Sequence, residues 1–163
     1  SSDLITTPII MGILESGAPA ETMVFMVQKE VADRINAQPG GKEYGVLSLA
    51  VQYYCETCQA ADVPPGCFIP RPEVLSSVVV LKKRDIKIAV SDEKLMFKLI
   101  RTAFSQRRKT LMNCLRSSKE LGLGKEDAEA LIEKAGLEPN IRGEALPLEA
   151  YAKMADILSA KSC

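Results

Sequence analysis

Apolar positions recur first at helical spacing, then in short continuous runs, then at helical spacing again, and these changes of period divide the chain. Ile9, Ile10, Ile13 and Leu14 follow Thr7-Pro8, an N-cap with proline at the first helical position, and Gly17 closes the segment. Thr22-Met23-Val24-Phe25-Met26-Val27 is an unbroken apolar run, the pattern of a strand covered on both faces. Lys29 to Ala37 places Val31, Ala32 and Ile35 on one helical side before Pro39-Gly40-Gly41 interrupts. Tyr44 to Tyr53 reads as a helix through Leu47, Val51 and Tyr54. Glu56 to Val63 reads as a modest strand, and Val74 to Leu81, short and rich in valine, as the best strand.

Helix, strand, helix, helix, strand, loop, strand is a piece of an α/β sheet whose last two strands are close enough in sequence to run antiparallel. From Ser91 the pattern is helical throughout. Ser91 is the expected cap, with Asp92 and Glu93 favourable in the first turn. On one continuous helix Phe97, Ile100, Phe104, Leu111 and Leu115 share a stripe, while Lys98, Arg101, Arg108, Lys109 and Arg116 occupy a separate polar face. Arg107 breaks the pattern by projecting within the apolar stripe. It needs a carboxylate partner, or it opens onto a groove. Leu121-Gly122-Leu123-Gly124 ends this helix, Lys125 to Ala135 forms another capped by Gly136, and Leu148, Tyr151, Ala155 and Leu158 mark a last one. The expected fold class is α/β followed by all-α, with a first domain over residues 1–85 and a helical domain over 91–163.

Charge sharpens this division. Between Lys82 and Lys119 stand twelve Lys or Arg and three acids, a net +9, whereas the other residues carry nine bases and eighteen acids. A chain of zero net charge with its positive charge gathered in one segment reads as a binder of polyanions. Composition excludes other classes: 47% apolar and 26% charged residues are globular values, and the sequence has neither an apolar run of membrane-spanning length nor a signal-peptide pattern at Ser1. A cytoplasmic protein is expected.

Cys55-Glu-Thr-Cys58 has the spacing of metal and redox pairs. No histidine and no second such pair accompany it, and residues three apart on a strand point to opposite faces. No metal site is expected.

Pro64-Pro65-Gly66-Cys67-Phe68-Ile69-Pro70-Arg71-Pro72-Glu73-Val74 holds four of the nine prolines. Fixed φ and missing amide donors make it a stiff, extended loop. Its aromatic, Phe68, is either a ring tucked into the core or a surface for a flat ligand.

Five stretches in order, Ile5-Thr6-Thr7-Pro8-Ile9-Ile10, Val27-Gln28-Lys29-Glu30-Val31, Tyr44-Gly45-Val46-Leu47-Ser48, Phe68-Ile69-Pro70-Arg71-Pro72-Glu73-Val74 and Phe104-Ser105-Gln106-Arg107-Arg108-Lys109-Thr110-Leu111, resemble the ribosomal RNA small-subunit adenine N6,N6-dimethyltransferases of the KsgA/RsmA type. The resemblance covers essentially the whole chain. It implies the C-terminal part of a Rossmann-like methyltransferase sheet plus a small helical, RNA-gripping bundle. It implies S-adenosylmethionine as cofactor, 16S rRNA in the small ribosomal subunit as partner, and dimethylation of two adjacent adenines near the 3′ end during subunit maturation. Phe68 then stacks on the target adenine, Pro70 and Pro72 stiffen its loop, and Arg71, Lys98, Arg101, Arg107, Arg108, Lys109 and Arg116 meet RNA.

The family's glycine-rich cofactor turn and Asn-Leu-Pro-Tyr motif do not occur in these residues, so the chain is expected to hold no cofactor site and to be inactive alone. Ser1-Ser2-Asp3 reads as a cut end, and Thr22–Val27 as an exposed sheet edge prone to strand exchange or dimerisation. Other readings are a non-catalytic RNA-binding module of ribosome assembly, a resistance-type methyltransferase of large-subunit RNA, and a purely structural domain.

Overall fold

The computed structural model describes residues 3–17 and 19–161. The Ser1-Ser2 end and Cys163 lie outside that range. The chain divides into two units, one formed by the residues up to Ala37 together with Ala50–Lys87, the other by Gln38–Leu49 together with the residues from Ile88 onward. One division falls between Lys87 and Ile88, and residues 38–49 pack with the helical unit, a grouping no local pattern announces.

The first unit is a three-stranded sheet with helices. Helix α1 runs Asp3–Glu15, so Pro8 lies inside it rather than at its first position. The expected cap at Thr7 is thereby corrected: the helix starts five residues before Pro8, and Pro8, which has no amide donor, leaves one helical bond unmade. Ile10 and Leu14 are buried, whereas Ile9 is half exposed. Strand β1 (Thr22–Gln28) leads directly into α2 (Lys29–Asn36), whose Val31, Ala32 and Ile35 are buried. Helix α3 (Val46–Tyr54) starts among the residues of the other unit and continues into this one. It feeds β2 (Cys55–Val63), and β3 spans Ser76–Lys83.

The sheet order is β1-β3-β2 with both pairings antiparallel. The centre falls to β3 because its valine run suits a strand flanked on both sides. In its register Phe25 faces Val79 and Thr57 faces Leu81. Ser77, Val79 and Leu81 line the buried face, and α2 packs across all three strands.

β1 corrects a second expectation. Val27 is buried, but Val24 and Met26 are 62% and 57% exposed, so the strand alternates instead of being covered on both faces. A continuous apolar run does not reveal which of its faces finds a partner. Cys55 is buried and Cys58 exposed, the opposite orientations that strand alternation demands.

The second unit contains α4 (Glu93–Phe104), α5 (Leu111–Ser117), α6 (Lys125–Ala135) and α7 (Leu148–Lys161). α4 packs on α5 and α7, and α6 on α5 and α7, around Met96, Leu99, Ile100, Leu111, Leu115, Leu131, Tyr151 and Met154. Asp92, not Ser91, caps α4, accepting from the Leu95 amide at 2.9 Å. Gly136 ends α6 at φ 75°, a left-handed conformation that favours glycine. Buried hydroxyls tie the remaining loops: Tyr44 donates to the Leu146 carbonyl and Tyr151 to that of Gly143, both at 2.9 Å.

The single helix expected from Ser91 is in fact two. α4 stops at Phe104, a turn carries Ser105–Lys109, and Thr110 caps α5 through the Asn113 amide at 3.4 Å. A continuous helix would have driven Arg107 into the apolar stripe. The turn swings it to the surface and so avoids burying a charge.

Candidate nucleic-acid interface

The turn at Ser105–Lys109 is built by local bonds. The Ser105 hydroxyl donates to the Thr102 carbonyl at 2.7 Å, the Lys109 amide to the Gln106 carbonyl at 2.9 Å, and the Leu111 amide to the Ile141 carbonyl at 2.7 Å. Within it Arg107 is occupied by its own unit. Its guanidinium lies 3.6 Å from the Glu144 carboxylate, donates to the Lys42 carbonyl at 3.1 Å and to that of Tyr44, and sits 5.8 Å from the Phe104 ring centre. Of the two alternatives the sequence left for Arg107, the structure supplies the carboxylate partner. With its side chain about half exposed, the ion pair itself contributes little; the bonds to two loop carbonyls are what fix residues 42–44.

The neighbouring cations differ. Arg101, Arg108, Lys109, Arg116 and Lys119 are exposed, and their side chains make no ion pair or hydrogen bond with the described residues. Some bases elsewhere are matched with acids, as in Lys29–Asp33 at 2.6 Å, Arg84–Glu56 at 3.8 Å and Lys161–Asp127 at 3.2 Å. Lys98 is spent on the Glu120 carbonyl. Arg107, Arg108 and Lys109 line one open cavity of about 600 Å³ with Ser105 and Gln106. Arg101 lines another of about 270 Å³, which also includes Ser105 and Gln106. Lys98 and Arg116 line neither of these two. Such a surface can hold phosphates by charge, with affinity that falls as salt rises.

Sequence periodicity missed Lys119, which does not line the smaller cavity, and it missed Thr102, Ser117, Ser118 and Glu120, which join Arg101 around it. No spacing rule could collect them, since they come from the end of α4, the end of α5 and the following turn. Burial pushes the nearby Cys114 thiol up from its ordinary pKa, and it donates to the Gln106 carbonyl at 3.6 Å.

In the sheet unit, the proline-rich segment forms one tight turn at Pro65–Cys67. Phe68 follows, half-buried, with Ile69 fully exposed and the Ile69–Pro70 peptide cis. Pro70 and Arg71 are exposed and Pro72 half-buried. Phe68 is therefore neither a closed core residue nor a free one.

Neither junction that would cradle a nucleotide-like cofactor is shaped for it. β1 passes into α2 at Gln28-Lys29 without a glycine, and β2 passes into the prolines. A cofactor of that kind needs close backbone approach at a glycine turn, so these two junctions do not fit S-adenosylmethionine.

An antiparallel α/β piece followed by a helical unit with an exposed cationic turn makes this a two-unit protein of mixed α/β class. The Ribosomal RNA adenine dimethylase family model matches residues 3–160, and the chain belongs to that family. It is 54% identical over 158 residues to the Ribosomal RNA small subunit methyltransferase A of Lachnoclostridium phytofermentans, covering 96% of this chain and 54% of that protein. The same-named protein of Halothermothrix orenii is 49% identical over 155 residues, covering 94% and 52%. The chain thus spans about half the length of the curated relatives it matches.

Among solved structures, a dimethyladenosine transferase from Plasmodium falciparum superposes with a TM-score of 0.78 at 23% identity, over 98% of this chain and 64% of that one. The 23S rRNA methyltransferase ErmE superposes at 0.61 with 20% identity, over 95% and 61%. Both share the fold. The expectation of a methyltransferase-type α/β piece with helices is met.

Proposed function

We propose that the chain is the substrate-gripping portion of an enzyme that dimethylates N6 of two adjacent adenines near the 3′ end of 16S rRNA, during small-subunit maturation in the cytoplasm. The observation that carries the RNA contact is the gathering of Arg101, Arg108, Lys109, Arg116 and Lys119, whose side chains are unpaired among the described residues, within a segment of net charge +9. Arg71 and Lys98 add charge toward the RNA in this reading, and Arg107 serves it by holding the turn that carries Arg108 and Lys109.

Phe68 supplies a stacking face for an extruded adenine, and Pro70 and Pro72 limit the freedom of its loop, which lowers the cost of ordering it. Stacking on an aromatic ring contributes about 1–3 kcal/mol per base. The methyl donor, S-adenosylmethionine, binds residues of the family's glycine-rich turn, which this sequence does not contain. The 163 residues alone therefore grip RNA without transferring a methyl group.

The test uses a protein carrying this chain together with the family's glycine-rich turn and Asn-Leu-Pro-Tyr motif. There Phe68→Ala lowers methyl transfer far more than it lowers RNA affinity. Equal losses in both would make Phe68 a packing residue. Methylation by the 163-residue chain alone, followed with labelled methyl donor, would refute the division of labour.

A further inference from the structure

The cavity of about 270 Å³ at the end of α4 is not built as a simple phosphate site, because Glu120 lines it together with Arg101. A carboxylate on the lining of the same cavity weakens any bare anion there. Both charges are unsatisfied: neither Arg101 nor the Glu120 carboxylate is ion-paired with the described residues. The surroundings are held in place. Lys98 donates to the Glu120 carbonyl, the Leu121 amide donates to the Ser118 hydroxyl at 3.3 Å, and the Thr102 and Ser118 hydroxyls lie 3.4 Å apart. Gln106 and Ser117 add neutral donors and acceptors at the same cavity. Its volume is just below the usual range for small-ligand pockets, a scale that suits one flat base.

The ligand must satisfy a guanidinium and a carboxylate together. Guanine does so with two paired contacts: its N1–H and N2 amino group donate to the two carboxylate oxygens, and its O6 and N7 accept from the arginine fork. Adenine turns an acceptor, N1, toward the carboxylate. Cytosine and uracil each offer it a single donor group. We propose that this cavity binds an unpaired guanine of the RNA, with Glu120 and Arg101 as the reading residues. This rests on the RNA-binding reading above and adds base selectivity to it.

The test is fluorescence anisotropy with the 163-residue chain and labelled oligouridylates bearing one central guanine, inosine or adenine. The expected result is guanine over inosine by about tenfold, since inosine lacks the N2 amino group and one charge-assisted bond. Glu120→Gln brings that ratio close to one, whereas Arg101→Lys, which retains the charge but loses the fork on O6 and N7, weakens guanine and inosine alike and leaves their ratio near tenfold, with unchanged circular dichroism melting in both. Equal affinity for the three oligomers overturns the proposal and leaves general RNA binding standing. So does a Glu120→Gln variant that binds all three more tightly, which is the behaviour of an anion subsite. Absence of salt-dependent binding to any oligomer removes the RNA-binding reading and this proposal with it.

Discussion

Removing unpaired cations and removing the paired arginine beside them have different consequences. Binding of single-stranded RNA changes as the logarithm of salt with a slope of about −0.7 for each phosphate neutralised. If Arg108, Lys109, Arg116 and Lys119 each neutralise one phosphate, the slope is about −2.8, and raising KCl fourfold, from about 50 to 200 mM, weakens binding roughly 50-fold. The double variant Arg108→Ala/Lys109→Ala leaves two such contacts, a slope of about −1.4 and a loss of roughly 7-fold over the same range. Arg107→Ala keeps the wild-type slope but lowers stability by roughly 1–3 kcal/mol, because the Lys42 and Tyr44 carbonyls lose a charged donor. Anisotropy titrations of a fragment from the 3′ end of small-subunit rRNA across that salt range, with thermal melting of each variant, measure both effects. An unchanged slope in the double variant would refute the reasoning, as would an Arg107→Ala protein that melts normally and loses as much slope as Arg108→Ala.

Other expectations concern stability and association. A Cβ on Gly143 would stand 2.8 Å from the Ala103 Cβ and 3.0 Å from the Tyr151 hydroxyl, so Gly143→Ala costs about 1–3 kcal/mol and several degrees of melting temperature; an unchanged Tm would contradict that packing. Burial pushes the Cys55 and Cys114 thiols and the Tyr44 and Tyr151 hydroxyls up from their ordinary pKa values. Above about pH 8.5–10 the unfolded chain releases these protons while the folded one retains them. Stability from this source is full below that window and falls through it, and a urea midpoint constant from pH 7 to 10.5 would exclude the effect. On the strand β1, Val24→Lys with Met26→Lys reduces self-association of the chain in sedimentation or light scattering. A wild-type chain that is monomeric at high concentration would show that this edge is inert.

The parts of the fold legible in the sequence were those decided by neighbours in the chain. Residues 29–36 and 125–135 carry their apolar positions at helical spacing and form helices within a residue of the expected bounds, the second ending at Gly136 as anticipated. The valines of β3 were recognised, although the strand begins at Ser76 rather than Val74. The break after Phe104 left one trace, the misfit of Arg107 on the apolar stripe. That misfit was a sign of a turn, which a helical wheel has no means of representing.

The cationic segment was readable because charge is compositional: twelve bases against three acids between Lys82 and Lys119 need no fold to be counted. Which of those bases are available was not readable. Arg107 finds its carbonyl partners 63 and 65 residues away, whereas Arg108, its neighbour, finds none.

The sequence by itself determined the local elements, the concentration of positive charge and the family motifs, because propensity, periodicity and net charge act over a few residues or none. Only the tertiary structure decided that β3 is central, that β1 leaves Val24 and Met26 uncovered, and that Arg101 and Glu120 share a cavity. Each of those depends on contacts between distant segments, whose outcome is set by packing and by the need to satisfy buried polar groups.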